Sequence, residues 1–379
     1  MGETLENHAA RVIGLVRPGM PADAALREYL AGNRTLGSVG RRSVSRAVFA
    51  YFRWINWLDP AQSAQKRVLR AVETQGRFDR DPASIKTEAL AARAVPSWLA
   101  AQMEPTQGFL RALQTEPALW IRTKIGAADK IAQDLGSCDR PVLPPSLSAP
   151  ADLSARRYRG TSDLHKTPGF QSGAFEIQDL ASQLVGLACA PKPGETWWDA
   201  CAGEGGKMLH LSDLMRNKGL LWATDRSVRR LSLLKRRAAR AGVFNYRTAV
   251  WTGTGGAPFR TPCEGVLVDA PCSGVGTWRR NPHARWTTSI DDVAELTVVQ
   301  AALLRNAARS VKKGGRLVYS VCTLTRSETT GVADSFEAAH KDFEPAPLSL
   351  SAAGASRVTL QPQDLDSNGM FIAAWRRVR

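Results

Sequence analysis

The chain has 379 residues, 44% hydrophobic and 23% charged, a globular balance that excludes a disordered, collagenous or disulfide-stapled protein and leaves room for two or three domains. Its 51 Lys and Arg against 35 Asp and Glu leave a formal charge of +16, which points to a polyanionic partner, nucleic acid above all. The six cysteines are scattered with no C-x-x-C pair and the five histidines do not cluster near them, so no metal is expected.

Residues 1–75 predict a small helical bundle. Ala9, Val12 and Ile13, then Val44, Ala47, Val48, Tyr51 and Phe52, recur at helical spacing, and the breaks fall at Pro18-Gly19, Gly32-Asn33 and Gly37–Gly40. Its last long helix, Arg41–Trp57, starts basic and ends aromatic. Residues 76–164 predict a small α/β module with a strand at Trp120–Lys124, and Pro141, Pro144, Pro145 and Pro150 mark turns or a linker. From 165 to 379 the pattern becomes strand, turn, helix, repeated, which predicts a doubly wound parallel sheet whose site lies beyond the carboxyl ends of the strands. Strands are expected at Glu195–Ala200, Leu220–Asp225, Asn245–Trp251, Gly265–Ala270 and Gly315–Ser320, with later ones near Phe343 and at Gly369–Trp375; long helices are expected at Arg226–Ala241 and Ile290–Val311. No apolar run reaches the ~18–20 residues that span a bilayer. Met1–Arg17 carries Glu3 and Glu6 and lacks a secretion signal's apolar region. The expectation is a cytoplasmic protein with reduced cysteines and no membrane partner.

The first strand-to-helix turn reads Asp199-Ala-Cys-Ala-Gly-Glu-Gly-Gly-Lys207. Gly203, Gly205 and Gly206 let a backbone approach a ligand closely. Asp225, closing the next strand, suits a ribose hydroxyl pair. The spacing is not the dinucleotide G-x-G-x-x-G, which favours S-adenosylmethionine over NAD. A glycine turn needed only for packing is the plainer alternative.

Two further strands end in cysteine, Asp269-Ala-Pro-Cys272-Ser-Gly274 and Tyr319-Ser-Val-Cys322-Thr323. As sheet neighbours they open both thiols into one cleft. A lone cysteine reads as a small buried hydrophobe, whereas a pair at adjacent strand ends suits covalent chemistry. Cytosine C5 is too electron-poor to take a methyl group from a sulfonium. A thiolate added at C6 makes C5 nucleophilic. A carboxyl group at the N3/N4 edge stabilises the adduct, and Asp269 is placed for that. The base must leave its stack to be reached.

With these motifs the sequence resembles the RNA (cytosine-5)-methyltransferases of the Nol/Nop/Sun (RsmB-like) family. The resemblance runs from about residue 165 to the end, on Gln178–Gln183, Asp199–Lys207, Asp225, Asp269–Gly274, Arg279-Arg280-Asn281-Pro282, Tyr319–Thr323 and Asn368–Phe371. It implies a Rossmann-like class I methyltransferase domain. It also implies Cys322 as nucleophile, Cys272 as the residue that helps break down the adduct, and Asp269 and Lys207 facing the base. Cys201, Ala202, Gly203, Glu204, Gly205, Gly206, Lys207, Asp225, Arg230 and Asp269 are implied as contacts to S-adenosylmethionine. More weakly, the N-terminal part is similar to a NusB-like RNA-binding domain and Pro96–Lys124 to a small RNA-recognition-like module. The implied substrate is RNA, small-subunit rRNA first and tRNA second, with a monomeric enzyme favoured. DNA cytosine methylation and a non-catalytic ribosome-assembly factor are the rivals, disfavoured by the second cysteine and by the intact cysteine pair with Asp225.

The sequence departs from the family in three places. Glu204 stands where the family has Pro, and either completes the turn or contacts the cofactor's cationic end. Met208 replaces Thr. No acid follows the third strand, where Trp251 or Thr252 stands, so adenine is expected to be held by stacking or backbone contacts. Arg279, Arg280, Arg285 and Trp286, just past Cys272, are expected at the cleft mouth, holding phosphates or forming a solvated loop. The basic helix from Arg226 is expected to be a solvated face apart from Arg230.

Overall fold

The structure, a computed structural model, describes residues 4–148 and 153–379. It divides into two compact units, the chain up to Pro117 with Thr277–Ile290, and Ala118–Gly276 with Asp291–Arg379. None of the helices among the described residues is long and apolar enough to cross a membrane.

The first unit is helical. Its main helices are Leu5–Leu15, Ala22–Gly32, Ser38–Trp54 and Ala64–Arg80, and two short ones, Thr87–Arg93 and Gln107–Ala112, continue past the border expected at residue 75. Ser38–Trp54 buries Val44, Ala47, Val48 and Tyr51, an i, i+3, i+4, i+7 stripe, against a core that includes Val12, Val68 and Phe78. Ser63 caps Ala64–Arg80 by accepting from Lys66 N at 3.3 Å. The 277–290 segment is anchored here by long side chains on backbone carbonyls. Fully buried Arg285 donates to Ala94 O (2.8 Å) and Leu113 O (2.9 Å), Trp286 Nε1 to Phe52 O (2.7 Å), and buried Arg279 to Glu116 O (2.7 Å). This overturns the expectation that Arg279, Arg285 and Trp286 hold phosphates: their polar groups satisfy buried carbonyls that would otherwise be orphaned. Arg280 alone of the four is exposed.

The second unit contains two sheets. β1 (Leu119–Thr123), β2 (Cys138–Asp139), β3 (Ala155–Tyr158) and β4 (Phe175–Ile177) form an antiparallel sheet in the order β2-β3-β1-β4. Its last strand lies beyond the border expected at residue 164, because Ile177 pairs with Ile121. The larger sheet is built from β5 (Thr196–Asp199), β6 (Leu220–Asp225), β7 (Tyr246–Val250), β8 (Cys263–Asp269), β9 (Val311–Val321), β10 (Phe343–Pro345), β11 (Arg357–Leu360) and β12 (Met370–Arg377). Its order is β10-β12-β9-β8-β5-β6-β7, with β11 on β12. β7, β6, β5, β8 and β9 run parallel, and β12 is antiparallel to β9. β11 was not foreseen in the sequence.

Both faces of the sheet are covered. Trp197, Leu267 and Val318 point into one core with Leu184, Leu209 and Leu234, while Trp198, Val266, Val268, Leu317 and Tyr319 point into the other with Leu304 and Phe336. That alternation is the pleat of a sheet buried on both sides, and it explains the near-continuous apolar run Val266–Val268. It also sets Asp199, Asp225, Asp269 and Val321 at the carboxyl ends of four parallel strands.

Candidate active site

The glycine turn after β5 is pinned to the end of β6. Ala202 N donates to Thr224 O (2.8 Å), and Asp225, 7% exposed, accepts from Gly203 N through Oδ2 (3.1 Å) and from Ser227 N through Oδ1 (2.8 Å). Gly203 and Gly205 both have positive φ, +54° and +88°. A Cβ at Gly205 would come within 2.7 Å of Leu234 Cγ, so packing requires that glycine; a Cβ at Gly203 would meet nothing within 4 Å, so this face of the turn is open. Glu204 is exposed, and its carbonyl accepts from Arg237. Arg230 lies in the first turn of helix Val228–Arg240 with its side chain exposed.

Asp199, 1% exposed at the end of β5, has neither carboxylate oxygen in hydrogen-bond geometry with a described neighbour. Burial, and then the charge of Asp269, push its pKa up to about 7. The half-buried Cys201 thiol is pushed well up by burial and by the same carboxylates.

Lys207, in the first turn of helix Gly206–Leu214, places Nζ 2.6 Å from Asp269 Oδ2, and Ser320 Oγ donates to Asp269 Oδ1 at 2.8 Å. Burial alone would lower the Lys207 pKa. The Asp269 carboxylate overcomes it, through its charge and the hydrogen bond, with Cys322 adding to the effect, and the ammonium is held above its ordinary range. The turn is backed by the Gln178 motif: Gln178 accepts from Arg122 Nε (2.7 Å) and donates to Gly206 O (3.2 Å), while Asp179 caps helix Leu180–Cys189 and accepts from Asn368 N (3.2 Å).

Cys272 Sγ and Cys322 Sγ stand 3.4 Å apart, both half-buried. The Cys272 thiol is held well above its ordinary range, first by its hydrogen bond to Cys322, then by burial and the charges of Cys322 and Glu328. Either sulfur can be the donor of the pair. The two cysteine loops are also joined through their backbones, with Gly276 N donating to Cys322 O (3.1 Å) and Gly369 N to Gly276 O (2.8 Å).

Glu328 ties the loops together from beneath. It sits in a π-turn, Ser327–Gly331, with no exposed surface. Its carboxylate accepts from Ser273 N (2.8 Å), Ser273 Oγ (2.5 Å), Gln300 Nε2 (2.9 Å), Thr323 Oγ1 (3.1 Å) and Thr325 Oγ1 (2.7 Å). Sequence reading missed Glu328, Ser320 and Asp199 as parts of the site. A buried acid seven residues past the end of β9 carries no spacing signal of its own. Trp251 differs from expectation: it is 6% exposed and packs edge-on against Trp198 at 4.8 Å, which removes its ring from stacking on a ligand.

The donor set fits an adenosyl-bearing methyl donor. Each Asp225 oxygen accepts one backbone N–H, and a carboxylate has about four lone-pair sites, so two remain for a ribose diol. Gly203 leaves open space beside it.

Residues 186–376 match the family described as 16S rRNA methyltransferase RsmB/F. The chain is 33% identical over 328 residues to the probable ribosomal RNA small subunit methyltransferase B of Bacillus subtilis, covering 82% of this chain and 72% of that protein. It is 35% identical over 224 residues to the protein of the same description from Synechocystis, covering 56% of this chain and 50% of that one. Among solved structures, a methyltransferase homologue from Pyrococcus horikoshii matches with a TM-score of 0.61 at 26% identity, over 73% of this chain and 91% of that one. A chain matched over half its length by the family model, and over four-fifths by one relative, belongs to the RsmB/F family of Nol/Nop/Sun RNA (cytosine-5)-methyltransferases.

Proposed function

We propose that this enzyme methylates C5 of a cytosine in small-subunit rRNA with S-adenosylmethionine, through a covalent adduct on Cys322. The observation that carries the reading is the pair of thiols 3.4 Å apart at the ends of β8 and β9, beside the Lys207–Asp269 ion pair. Asp225 and the open face at Gly203 would hold the cofactor, which when bound supplies an electrophilic methyl group.

In this reading Cys322 adds to C6 as the thiolate while Cys272 holds the proton of the pair. Charge then builds on the N3/O2 side of the ring, where the Lys207 ammonium donates a hydrogen bond, and the Asp269 carboxylate accepts from the exocyclic N4 amine. An ion pair is suited to this edge because one partner donates and the other accepts. After C5 is methylated, Cys272 gives its proton to the departing Cys322 sulfur and takes the C5 proton in exchange. One proton then leaves to solvent and restores the resting pair.

The test is Cys272→Ala. Incubated with S-adenosylmethionine and unmodified small-subunit rRNA, it should accumulate a protein–RNA adduct that survives denaturant, and the Cys272→Ala/Cys322→Ala double variant should form none. No adduct in the single variant, or an adduct that persists in the double variant, overturns the assigned roles.

A further inference from the structure

The helical unit contains a pocket of about 490 Å³ between helix Ser38–Trp54 and the 277–290 segment. Ser45, Arg46, Phe49 and Arg53 face Arg280 and Asn281 across it. We propose that this pocket binds one nucleotide of the substrate RNA outside the catalytic cleft, with its phosphate on Arg46 and Arg280 and its ring on Phe49. The proposal rests on the RNA reading of the catalytic unit.

The charge beneath the pocket is unusual. Arg53, 2% exposed, donates only to neutral oxygens, Gln75 Oε1 at 2.9 Å and Arg279 O at 3.5 Å. Arg285, fully buried nearby in the same unit, donates to two carbonyls. Neither guanidinium has an ion-pair partner among the described residues. Burial lowers them to about 10 and about 9, so both still carry charge at neutral pH. The Glu116 and Asp79 carboxylates offset part of the Arg53 charge, but neither forms an ion pair with it, and a buried guanidinium lining the pocket attracts an arriving anion more strongly than one at open surface.

Two carboxylates also line the pocket, and both are already engaged. Glu116 pairs with Arg46 at 3.1 Å and Asp23 with Arg27 at 3.3 Å, each pair solvent-exposed. Exposed pairs are worth about 1 kcal/mol or less, so Arg46 can turn to a phosphate at little cost. The opposite wall adds a group that phosphate alone would not use: Asn281 Oδ1 is buried without a hydrogen-bond partner. It is an acceptor awaiting a donor, which a ribose 2′-hydroxyl or a base amino group provides. Half-buried Phe49 offers a ring for stacking. Cation, acceptor and aromatic together describe a nucleotide. The segment bearing Arg280 and Asn281 also leaves the Cys272 loop directly along the chain.

The experiment measures binding of the full chain to an unmodified small-subunit rRNA transcript across a salt series, with KM and kcat for methylation. Arg46→Glu and Arg280→Glu, both at exposed positions, should each weaken binding about tenfold or more and reduce the magnitude of the salt slope by about one. Each should raise KM rather than lower kcat. Arg70→Glu, at an exposed position of the same unit outside the pocket, should change binding less than about twofold. Wild-type binding in both pocket variants, or an equal loss in Arg70→Glu, overturns the proposal, the latter by showing diffuse surface charge. If the wild-type chain binds RNA but does not methylate it, the catalytic reading fails while the binding comparison still decides the pocket.

Discussion

Glu328 accepts hydrogen bonds from both the backbone N–H and the hydroxyl of Ser273, the residue after Cys272, and from Thr323, the residue after Cys322. One buried carboxylate thus fixes the relative position of the two loops that carry the thiols. Glu328→Ala should destabilise the protein by about 3–5 kcal/mol, because it strands several buried donors. Glu328→Gln keeps the shape but turns one acceptor into a donor facing hydroxyls that can rotate. It should fold and lose about ten- to a hundredfold in kcat with KM for RNA nearly unchanged, since misplacing the thiols affects the reacting geometry and not RNA binding. Single-turnover methylation and thermal unfolding of the two variants read these effects separately.

The Lys207–Asp269 pair makes a prediction about protonation. Asp269 holds Lys207 above its ordinary range against the lowering effect of burial. In Asp269→Asn the largest raising influence is lost and burial is opposed only by Cys322 and Asp199, so the amine should lose its proton at a lower pH. Lys207 should then become reactive to an acylating reagent at mildly alkaline pH, where in the wild type it stays protonated and inert. Mass spectrometry of the labelled peptide reads this without requiring residual activity. Lys207→Met should lower methyl transfer by about a hundredfold or more, as expected when a donor to developing charge is removed.

Much of the catalytic unit is legible in the sequence because its signals are local. β5, β6 and β8 are short apolar runs that end in an acid and a turn, and each leaves Asp199, Asp225 or Asp269 where a parallel strand leaves its last residue. The neighbouring cysteines follow from strand order. What the sequence hides is partnership over long separations. Arg279 and Arg285 look like surface arginines beside a catalytic motif, and only the fold reveals carbonyls of residues 94, 113 and 116 waiting for them. The chain's excursion into the helical unit at 277–290 is invisible for the same reason, since its anchors lie 163 to 234 residues away along the chain. Glu328 acquires its position from a π-turn, which no residue pattern announces.

Asp199 predicts a pH-dependent stability. Its folded pKa is raised from 3.8 to about 7 by burial and by Asp269. Below pH 3.8 the group is neutral in both states. As pH rises from there the unfolded chain ionises while the folded one stays protonated, so stability is lost progressively and the loss is complete above about pH 7. The shift corresponds to at most about 4 kcal/mol. Asp199→Asn removes this titration. Its unfolding free energy, set against that of the wild type, should gain steadily between pH 4 and pH 8, and denaturant unfolding at several pH values measures it. A constant difference across that range would contradict the account.

The approach of Gly276 to Gly369 sets the last prediction. Their backbones are joined by a hydrogen bond of 2.8 Å, and a Cβ on Gly276 would lie 2.2 Å from Gly369 O and 2.9 Å from Cys322 O. Both obstacles are backbone, so neither can rotate away; the loop bearing Cys272 must move from the end of β9 instead. Gly276→Ala should therefore cost about 1–3 kcal/mol in unfolding free energy, the usual range for forced overpacking. It should lower methylation more than this stability loss explains, because the displacement acts directly on the distance between the two thiols. A second measurement separates the causes: the rate at which a bifunctional thiol reagent bridges Cys272 and Cys322 in the folded variant. A bridging rate equal to the wild type's, together with reduced activity, would place the defect elsewhere than in the thiol pair.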